Sequence, residues 1–565
     1  MDDPAQHAGK PIDDGRKPRG IDEVEVGVDL QLRRCGLEIL QFKHVKIIAN
    51  ISSNVKRFLT TDNHHTHPKF TPFPDPFLQA PHDHQANRWP PEVHRTRSTH
   101  AAPLSLGSRR ETGTVSESNA MRLSLLEILE ATGGGEVGGT QVGETFSTYH
   151  TDSREVQPGG LFFALRGAEM DGHDFVADAV KRGAAAVIVQ RRTEIPPGVV
   201  EILVPDTWAA LFSLAAHALR RVQPLVVGIT GSNGKTSTKE MVAAILSRHF
   251  NVLRTQGNLN TETGVPLTIL SLEPHHSALV LEMGLQRAGD IARLASLARP
   301  VIGIVTNVGV VHMEFFRSRE ELAREKGELV AALPEAGLAV LNADNEFFPL
   351  LVQMTSARVA SFGQEHGDYR VEGYEPASGG GASFSIGGVQ VRLVLDGRHQ
   401  ALNAAAALAA CEFAGVPLAA GAESLAGVRV DHRLQEITSP AGFAIVDDAY
   451  NASPESMLAA FDTVAEGPRP GRLLAVLGEM RELGPLSEEA HRHVGKRAAE
   501  VFDAVAVVDG ERARPMAEAA GADVVPDRAA AAEWVRHNAK PGDRVLVKAS
   551  HGVRLDELVR ELTTA

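Results

Sequence analysis

Between Leu225 and Ser237 the chain reads Leu-Val-Val-Gly-Ile-Thr-Gly-Ser-Asn-Gly-Lys-Thr-Ser. An apolar run, a glycine-punctuated turn, Lys-Thr and a helix-forming stretch from Ser237 to Arg248 make the layout of a phosphate-binding loop. Amide groups of such a turn point at phosphate oxygens, and the helix dipole favours negative charge there. Gly231, Ser232, Asn233, Gly234, Lys235, Thr236 and Ser237 are the nucleotide-binding candidates, with Lys235 reaching the terminal phosphates and the Thr236 hydroxyl available to Mg²⁺. The usual spacing asks for glycine five residues before Gly234, where Ile229 stands, so the loop is a variant with glycines at 228, 231 and 234. An ordinary glycine turn is the alternative.

Other residues suited to chemistry follow in order. Glu282 ends an apolar run at 278–281, where a carboxylate beside a phosphate loop suits Mg²⁺. His312 follows the next run, 301–305, and is either a site residue or a core histidine. Lys326 sits among Glu321, Glu325 and Glu328 in a helical stretch over 322–333, whose default reading is a solvated charged face. Asn258, Asn260 and Thr261 lie in a polar loop, and Asn403 near the start of an Ala-rich helix over 397–416. Arg154 and His173, beside glycine turns, could hold a diphosphate or a sugar, or be a surface arginine and a turn histidine. His64, His65, His67, His82 and His84 could bind a metal, or belong to a disordered tail.

The elements that must position these residues read as an α/β enzyme. Short Val-, Ile- and Leu-rich runs alternate with helical stretches: strands are expected at 161–165, 185–189, 201–204, 225–229, 278–281, 301–305, 338–341, 443–446, 473–477, 504–508 and 544–547. Ser124-Leu125-Leu126-Glu127 has the pattern of a capping box. Residues 358–396 alternate apolar and polar around a glycine turn and predict a small antiparallel excursion. In the last region, polar residues close each strand (Asp447 to Asn451, Gly478 to Met480, Asp509, Lys548 to His551), which marks the ligand edge of an open sheet. No GxGxxG follows its first strand, so a dinucleotide is not favoured. The chain divides at this level into 1–120, a disordered or mis-assigned extension with Met121 as the natural start; 121–221, a small α/β domain; 222–430, the phosphate-loop domain; and 431–565, a second sheet domain.

Composition narrows the function classes. The 565 residues carry a formal net charge of −14, which argues against nucleic-acid binding through phosphate contacts. Two cysteines, Cys35 and Cys411, make neither a disulfide framework nor a zinc pattern and fit a reducing cytoplasm. No apolar run reaches the length of a membrane span, and Met1-Asp2-Asp3 opens no secretory signal. A cytoplasmic enzyme without integral membrane contact is expected.

From Met121 to Ala565 the motifs together resemble the Mur ligase family. The resemblance rests on Thr151-Asp152-Ser153-Arg154 with Asp171-Gly172-His173, on Gly231–Thr236, on Gly257-Asn258-Leu259-Asn260, on Glu282-Met283-Gly284, on Thr306-Asn307 with His312-Met313-Glu314, and on Lys326-Gly327-Glu328. It continues in Asn403, Arg433, Asp447-Asp448-Ala449-Tyr450-Asn451, Gly478-Glu479-Met480-Arg481-Glu482-Leu483-Gly484 and Lys548-Ala549-Ser550-His551. The Asp-Asp-Ala-Tyr-Asn and Gly-Glu-Met-Arg-Glu-Leu-Gly blocks are similar to those of the branch that adds D-alanyl-D-alanine. Two departures are Ser453, where that branch usually has Asn before Pro454, and Phe316-Arg317-Ser318 in place of Phe-Gly-Ser.

The resemblance implies a three-domain architecture: a UDP-sugar-binding α/β domain, a central P-loop ATPase domain and a C-terminal Rossmann-like domain for the amino substrate. It implies an ATP-dependent amide ligase joining UDP-N-acetylmuramoyl-tripeptide to D-alanyl-D-alanine through an acyl phosphate, with two Mg²⁺ ions. Thr236 and Glu282 would hold one ion; His312 and Lys326, carbamylated at this position in the family, the other. Lys235, Glu282, His312 and Lys326 are thereby the catalytic set. Asn403 would contact adenine, Arg433 the phosphates and Asp447 the ribose. Ser153, Arg154 and His173 would lie on the uridine diphosphate end, Asn258, Asn260 and Thr261 would contact substrate, and Tyr450, Asn451 and Ser453 would line the dipeptide side. A monomer is expected. A different amide ligase of the same architecture, or a catalytically silent nucleotide-binding scaffold, are the competing readings.

Overall fold

The computed structural model describes residues 121–136, 145–377, 380–467 and 469–564, which belong to the compact unit Arg110–Ala565. The histidines at 64–84 and the expectation of disorder for 1–120 lie outside the described residues.

Strands made of uninterrupted Val, Ile, Leu and Ala are buried on both faces, which is the setting of a parallel sheet. The central sheet has seven strands in the order Tyr369–Arg370, Arg358–Gly363, Leu338–Asn342, Ile302–Val305, Leu225–Thr230, Ala278–Glu282, Val252–Arg254, every pair parallel. Leu225–Thr230 lies between two partners, with Glu282 opposite Ile229 and Val305 opposite Thr230. The loops that follow these three strands therefore emerge side by side at one edge.

The antiparallel excursion predicted over 358–396 is smaller than expected. Arg358–Gly363 extends the central sheet parallel to Leu338–Asn342, because the helix Phe348–Gln353 supplies the crossover that parallel neighbours need. Only Glu372–Pro376, Ala382–Ile386 and Val389–Leu393 form an antiparallel sheet.

Before this core, the strands Tyr149–His150, Leu161–Phe163, Ala186–Val189 and Val200–Leu203 form a parallel sheet, edged by Gly135–Glu136 running antiparallel. Ser124 caps the helix Leu125–Thr132 as its spacing implied: the Glu127 carboxylate accepts from the Ser124 N–H (2.8 Å), and Glu127 N–H donates back to Ser124 Oγ. The helix Thr207–Val222 packs on Gly264–Leu270, and one apolar core runs from Leu211 and Leu214 into Val265 and Ile269. Each such buried side chain contributes about 2 kcal/mol, so this face fixes the first sheet against the central one.

The last sheet has six strands. Ala444–Asp447, Arg544–Lys548, Leu473–Leu477, Ala504–Val508 and Asp523–Val525 are parallel, with Gln435–Thr438 antiparallel at the edge. Three α/β sheets of five, seven and six strands thus follow one another along the chain, as the alternation of strand and helix signals predicts.

Candidate active site

The strand Leu225–Thr230 runs straight into the phosphate loop. Ile229 is fully buried within it, so the loop proper begins at Gly231; this is why the expected glycine five residues before Gly234 is absent. Gly231 and Gly234 have φ of 148° and 81°. A Cβ on Gly234 would run into the Asn403 side chain, and one on Gly231 into Thr306, so both positions demand glycine. The helix Lys235–Leu246 starts without a side-chain cap, leaving its first N–H groups free for an anion. The Asn233 N–H donates to Asn307 Oδ1 (2.8 Å). Lys235 Nζ curls back to donate to the carbonyls of Gly231 (2.7 Å) and Ser232 (3.3 Å), and desolvation lowers its pKa.

One strand over, Glu282 is buried and satisfied at both oxygens: Thr236 Oγ1 donates to Oε2 (3.0 Å) and Asn260 Nδ2 to Oε1 (2.8 Å). A hydroxyl and a buried carboxylate beside an uncapped helix start are a donor set for a hard divalent cation bound together with phosphate oxygens.

Lys326 departs from the solvated face read for it. It is fully buried, and its Nζ has no hydrogen-bond partner. The cause is its neighbours. Glu325 accepts from the Gly289 N–H and Glu328 Oε2 from the Ala292 N–H (2.9 Å), so the helix Arg319–Ala331 is fastened by its carboxylates to the start of the helix Asp290–Ala298. On the helix so held, Lys326 faces inward. Burial, and then the charge of Lys235, push its pKa well below the usual lysine value, and burial pushes Glu328 up to about 7. His312, in the left-handed region at φ 73°, brings Nδ1 to 2.6 Å from Glu482 Oε2, and burial lowers its pKa. Among the described residues no cluster of three or more His, Cys, Asp and Glu is arranged around a metal position. A second cation beside His312 would thus need a further anionic ligand, and the unpartnered, readily neutral Lys326 amine is the group that could become one by carbamylation.

The last sheet supplies the facing wall. His432 and Leu434, at φ 55° and 52°, flank Arg433 in the connection between the domains. The Arg433 guanidinium lies 4.4 Å from the Tyr450 ring centre. Ser453 caps the helix Pro454–Glu466 through a reciprocal pair with Ser456, which explains why Ser serves where Asn is usual; its hydroxyl also donates to Asn233 Oδ1 in the phosphate loop (3.0 Å). Glu455 Oε1 accepts from the Val310 N–H (2.8 Å). Lys548, fully buried, holds Asp448 at 2.6 Å and donates to the Asn451 carbonyl (2.9 Å).

A cavity of about 620 Å³ opens between these walls. Lys235, Thr236, Asn258, Asn260, Thr261, Glu282 and His312 line it from one side, and Arg433, Tyr450, Asn451, Ser453 and Glu482 from the other. A second cavity of about 260 Å³ continues past Asn233, Gly234 and Ser237 to Asn403, His399, Asp448 and Lys548.

Several candidates stand elsewhere. Asp447 lines neither cavity; its carboxylate lies 2.6 Å from His432 Nδ1 and accepts from the Ala449 N–H. Ser153, Arg154 and His173 belong to the first sheet. Ser153 donates to Asp178 (2.9 Å) and Arg154 pairs with Asp152 at the surface. His173 is buried with both ring nitrogens engaged, Nδ1 on Asp171 (2.6 Å) and Nε2 on the Gln190 N–H (2.8 Å). Asn307, Asp448, Glu455 and Glu482 were not singled out in the sequence as site residues, although Asn307, Asp448 and Glu482 lie inside the quoted motifs and Glu455 just beyond one of them.

Comparisons with known proteins accord with this geometry. Family models match residues 145–249 (Mur ligase family, catalytic domain), 229–411 (Mur ligase middle domain) and 432–551 (Mur ligase, glutamate ligase domain). The UDP-N-acetylmuramoyl-tripeptide–D-alanyl-D-alanine ligase of Bacillus subtilis is 37% identical over 425 residues, 73% of this chain and 92% of the relative. A crystal structure of MurF from Acinetobacter baumannii is 29% identical with a TM-score of 0.72, covering 79% of this chain and 100% of that one. MurF ligase from Thermotoga maritima, in complex with ADP, is 33% identical with a TM-score of 0.65, covering 74% and 97%. With its phosphate loop, its facing sheet and these matches taken together, the chain belongs to the Mur ligase family.

Proposed function

We propose that this chain is the ATP-dependent ligase that adds D-alanyl-D-alanine to UDP-N-acetylmuramoyl-tripeptide in peptidoglycan synthesis, acting as a cytoplasmic monomer. The observation that carries the reading is the cavity in which a phosphate loop with Lys235 faces the wall of Tyr450, Asn451 and Ser453. A nucleotide site and an acceptor site opposed across one cleft suit a reaction that activates a carboxylate and then hands it to an amine. The tripeptide carboxylate attacks the γ-phosphorus of ATP, giving an acyl phosphate and ADP. The dipeptide amine then attacks the acyl carbon, phosphate leaves, and an amide bond forms with loss of the amine proton.

Each residue has a role that its surroundings support. Lys235 and the free N–H groups at the start of Lys235–Leu246 bind the phosphates, and Asn403, against Gly234, faces the adenosine side. Arg433, lining both cavities, bridges phosphates and acceptor wall. Thr236 and Glu282 would hold one Mg²⁺, and His312 with carbamylated Lys326 a second. When bound, these ions neutralise the charge that two anions bring together. Ser153 and Arg154 would serve the uridine end from the first sheet, whereas His173, buried with both ring nitrogens engaged by Asp171 and Gln190, would support that turn rather than touch the ligand. Closure of these walls on bound substrates would exclude water, which would otherwise hydrolyse the acyl phosphate. Phosphate release measured with UDP-N-acetylmuramoyl-tripeptide and ATP should depend on D-alanyl-D-alanine; equal stimulation by D-glutamate or lysine would assign the chain to another branch.

A further inference from the structure

The block Gly478–Gly484 carries a charge for which the reaction above has no use. Glu482 sits at φ 64°, its carbonyl accepts from the Glu314 N–H (3.3 Å), and Gly484 packs against Glu314 with no room for a Cβ. This held turn aims the carboxylate into the larger cavity, with the side chain 44% exposed. Three other carboxylates line the same cavity, and each is already engaged. Glu282 accepts from Thr236 and Asn260, Asp290 from the N–H groups of Gln286 and Arg287, and Glu262 pairs with Arg293. Glu482 instead pairs with an imidazole, His312, and has no lysine or arginine within ion-pair distance, the Lys235 charge reaching it only from farther across the cavity. Among the described residues it is the one carboxylate that the last sheet's domain gives to this lining. The cavity's lysine and arginine, Lys235 and Arg433, are the complement of phosphate. A cavity-facing anion on the acceptor wall whose direct partner is only an imidazole is the complement of a cation.

We infer that Glu482 binds the ammonium group of the amine substrate, here the α-ammonium of a D-alanyl dipeptide, and so selects for an acceptor that carries a positive charge. The inference rests on the function proposed above. The probe is a pair of ligands differing only in that group: D-alanyl-D-alanine as substrate and propionyl-D-alanine as competitor. In the unaltered chain the competitor binds at least about tenfold more weakly than the dipeptide. In Glu482→Gln the dipeptide KM rises by about tenfold or more, while the propionyl-D-alanine inhibition constant moves less than about twofold and the ATP KM stays put. Equal weakening of both ligands, no weakening of either, or a shifted ATP and Mg²⁺ dependence with an unmoved dipeptide KM overturns the inference and leaves Glu482 as a support for His312. Glu482→Asp should narrow the ratio only in part; it decides the matter if the Gln variant does not fold, and an unchanged ratio there also overturns the inference. Failure of the unaltered chain to use D-alanyl-D-alanine would instead sink the proposed function, which is a separate result.

Discussion

Replacing Lys548 by Met should unbalance the acceptor wall more than any surface change in this chain. Lys548 is fully buried, its Nζ lies 2.6 Å from Asp448 and 2.9 Å from the Asn451 carbonyl, and the Asp448 side chain is itself 8% exposed. Met nearly matches the lysine stem in volume, so little cavity forms. What changes is that a buried carboxylate loses its counter-charge and a carbonyl loses its donor. Stranding one member of a buried pair costs about 3–5 kcal/mol, whereas removing both charges together is often close to neutral. Lys548→Met should therefore lose about 3–5 kcal/mol, and the double variant Asp448→Asn with Lys548→Met should recover at least about half of it. Urea unfolding of the two singles and the double, read by fluorescence and by ADP release, measures the coupling. A single-variant loss below about 1 kcal/mol, or a double that is merely the sum of its singles, would refute the claim that the pair, rather than the packing, holds the Asp447–Asn451 loop in place.

Lys235→Ala and Glu282→Ala should each lower ADP release by about a thousandfold or more while the chain still folds; turnover within tenfold of the unaltered chain would remove these residues from the site. Lys326→Ala should lose activity and regain part of it with added short carboxylic acids, because its buried, unpartnered amine is the group to be carbamylated; full activity without them counts against that. Ser453→Ala should cost about 1 kcal/mol by uncapping Pro454–Glu466, while Ser453→Asn, another good cap, should stay within about 0.5 kcal/mol by urea unfolding. Burial holds His399 near a pKa of about 4, below its unfolded value. The unfolded chain then binds the extra proton, so stability falls as pH drops from about 6.5 toward 4, by no more than about 1.4 kcal/mol per unit. His399→Gln should flatten that part of the stability–pH curve, and an unchanged slope would place the titration elsewhere.

The strands and the phosphate loop were legible because their signals are local. Apolar runs, glycine spacing and the capping pair Ser124–Glu127 each lie within a few residues. The branch motifs added the family. Misread elements depended on distant partners. Lys326 looks like one charge on a charged helix until Glu325 and Glu328 are seen fastened to the helix Asp290–Ala298, some 36 residues away in sequence. Arg358–Gly363 alternates like an edge hairpin, and only the crossover helix makes it a parallel neighbour. Glu482 meets His312 across a domain boundary, a pairing no spacing rule reaches.

The contacts of Ser453 with Asn233 and of Glu455 with Val310 join the helix Pro454–Glu466 to the phosphate loop and to the loop after the neighbouring strand. A compound that fills the smaller cavity lies against both partners of that joint, since Asn233, Gly234 and Glu455 all line it. Occupancy and docking of the last domain are then thermodynamically linked: a compound that fills this cavity draws on the free energy of docking as well as on its own contacts. Loosening the joint at Glu455 should weaken such a compound even though every group it contacts on the phosphate loop is kept.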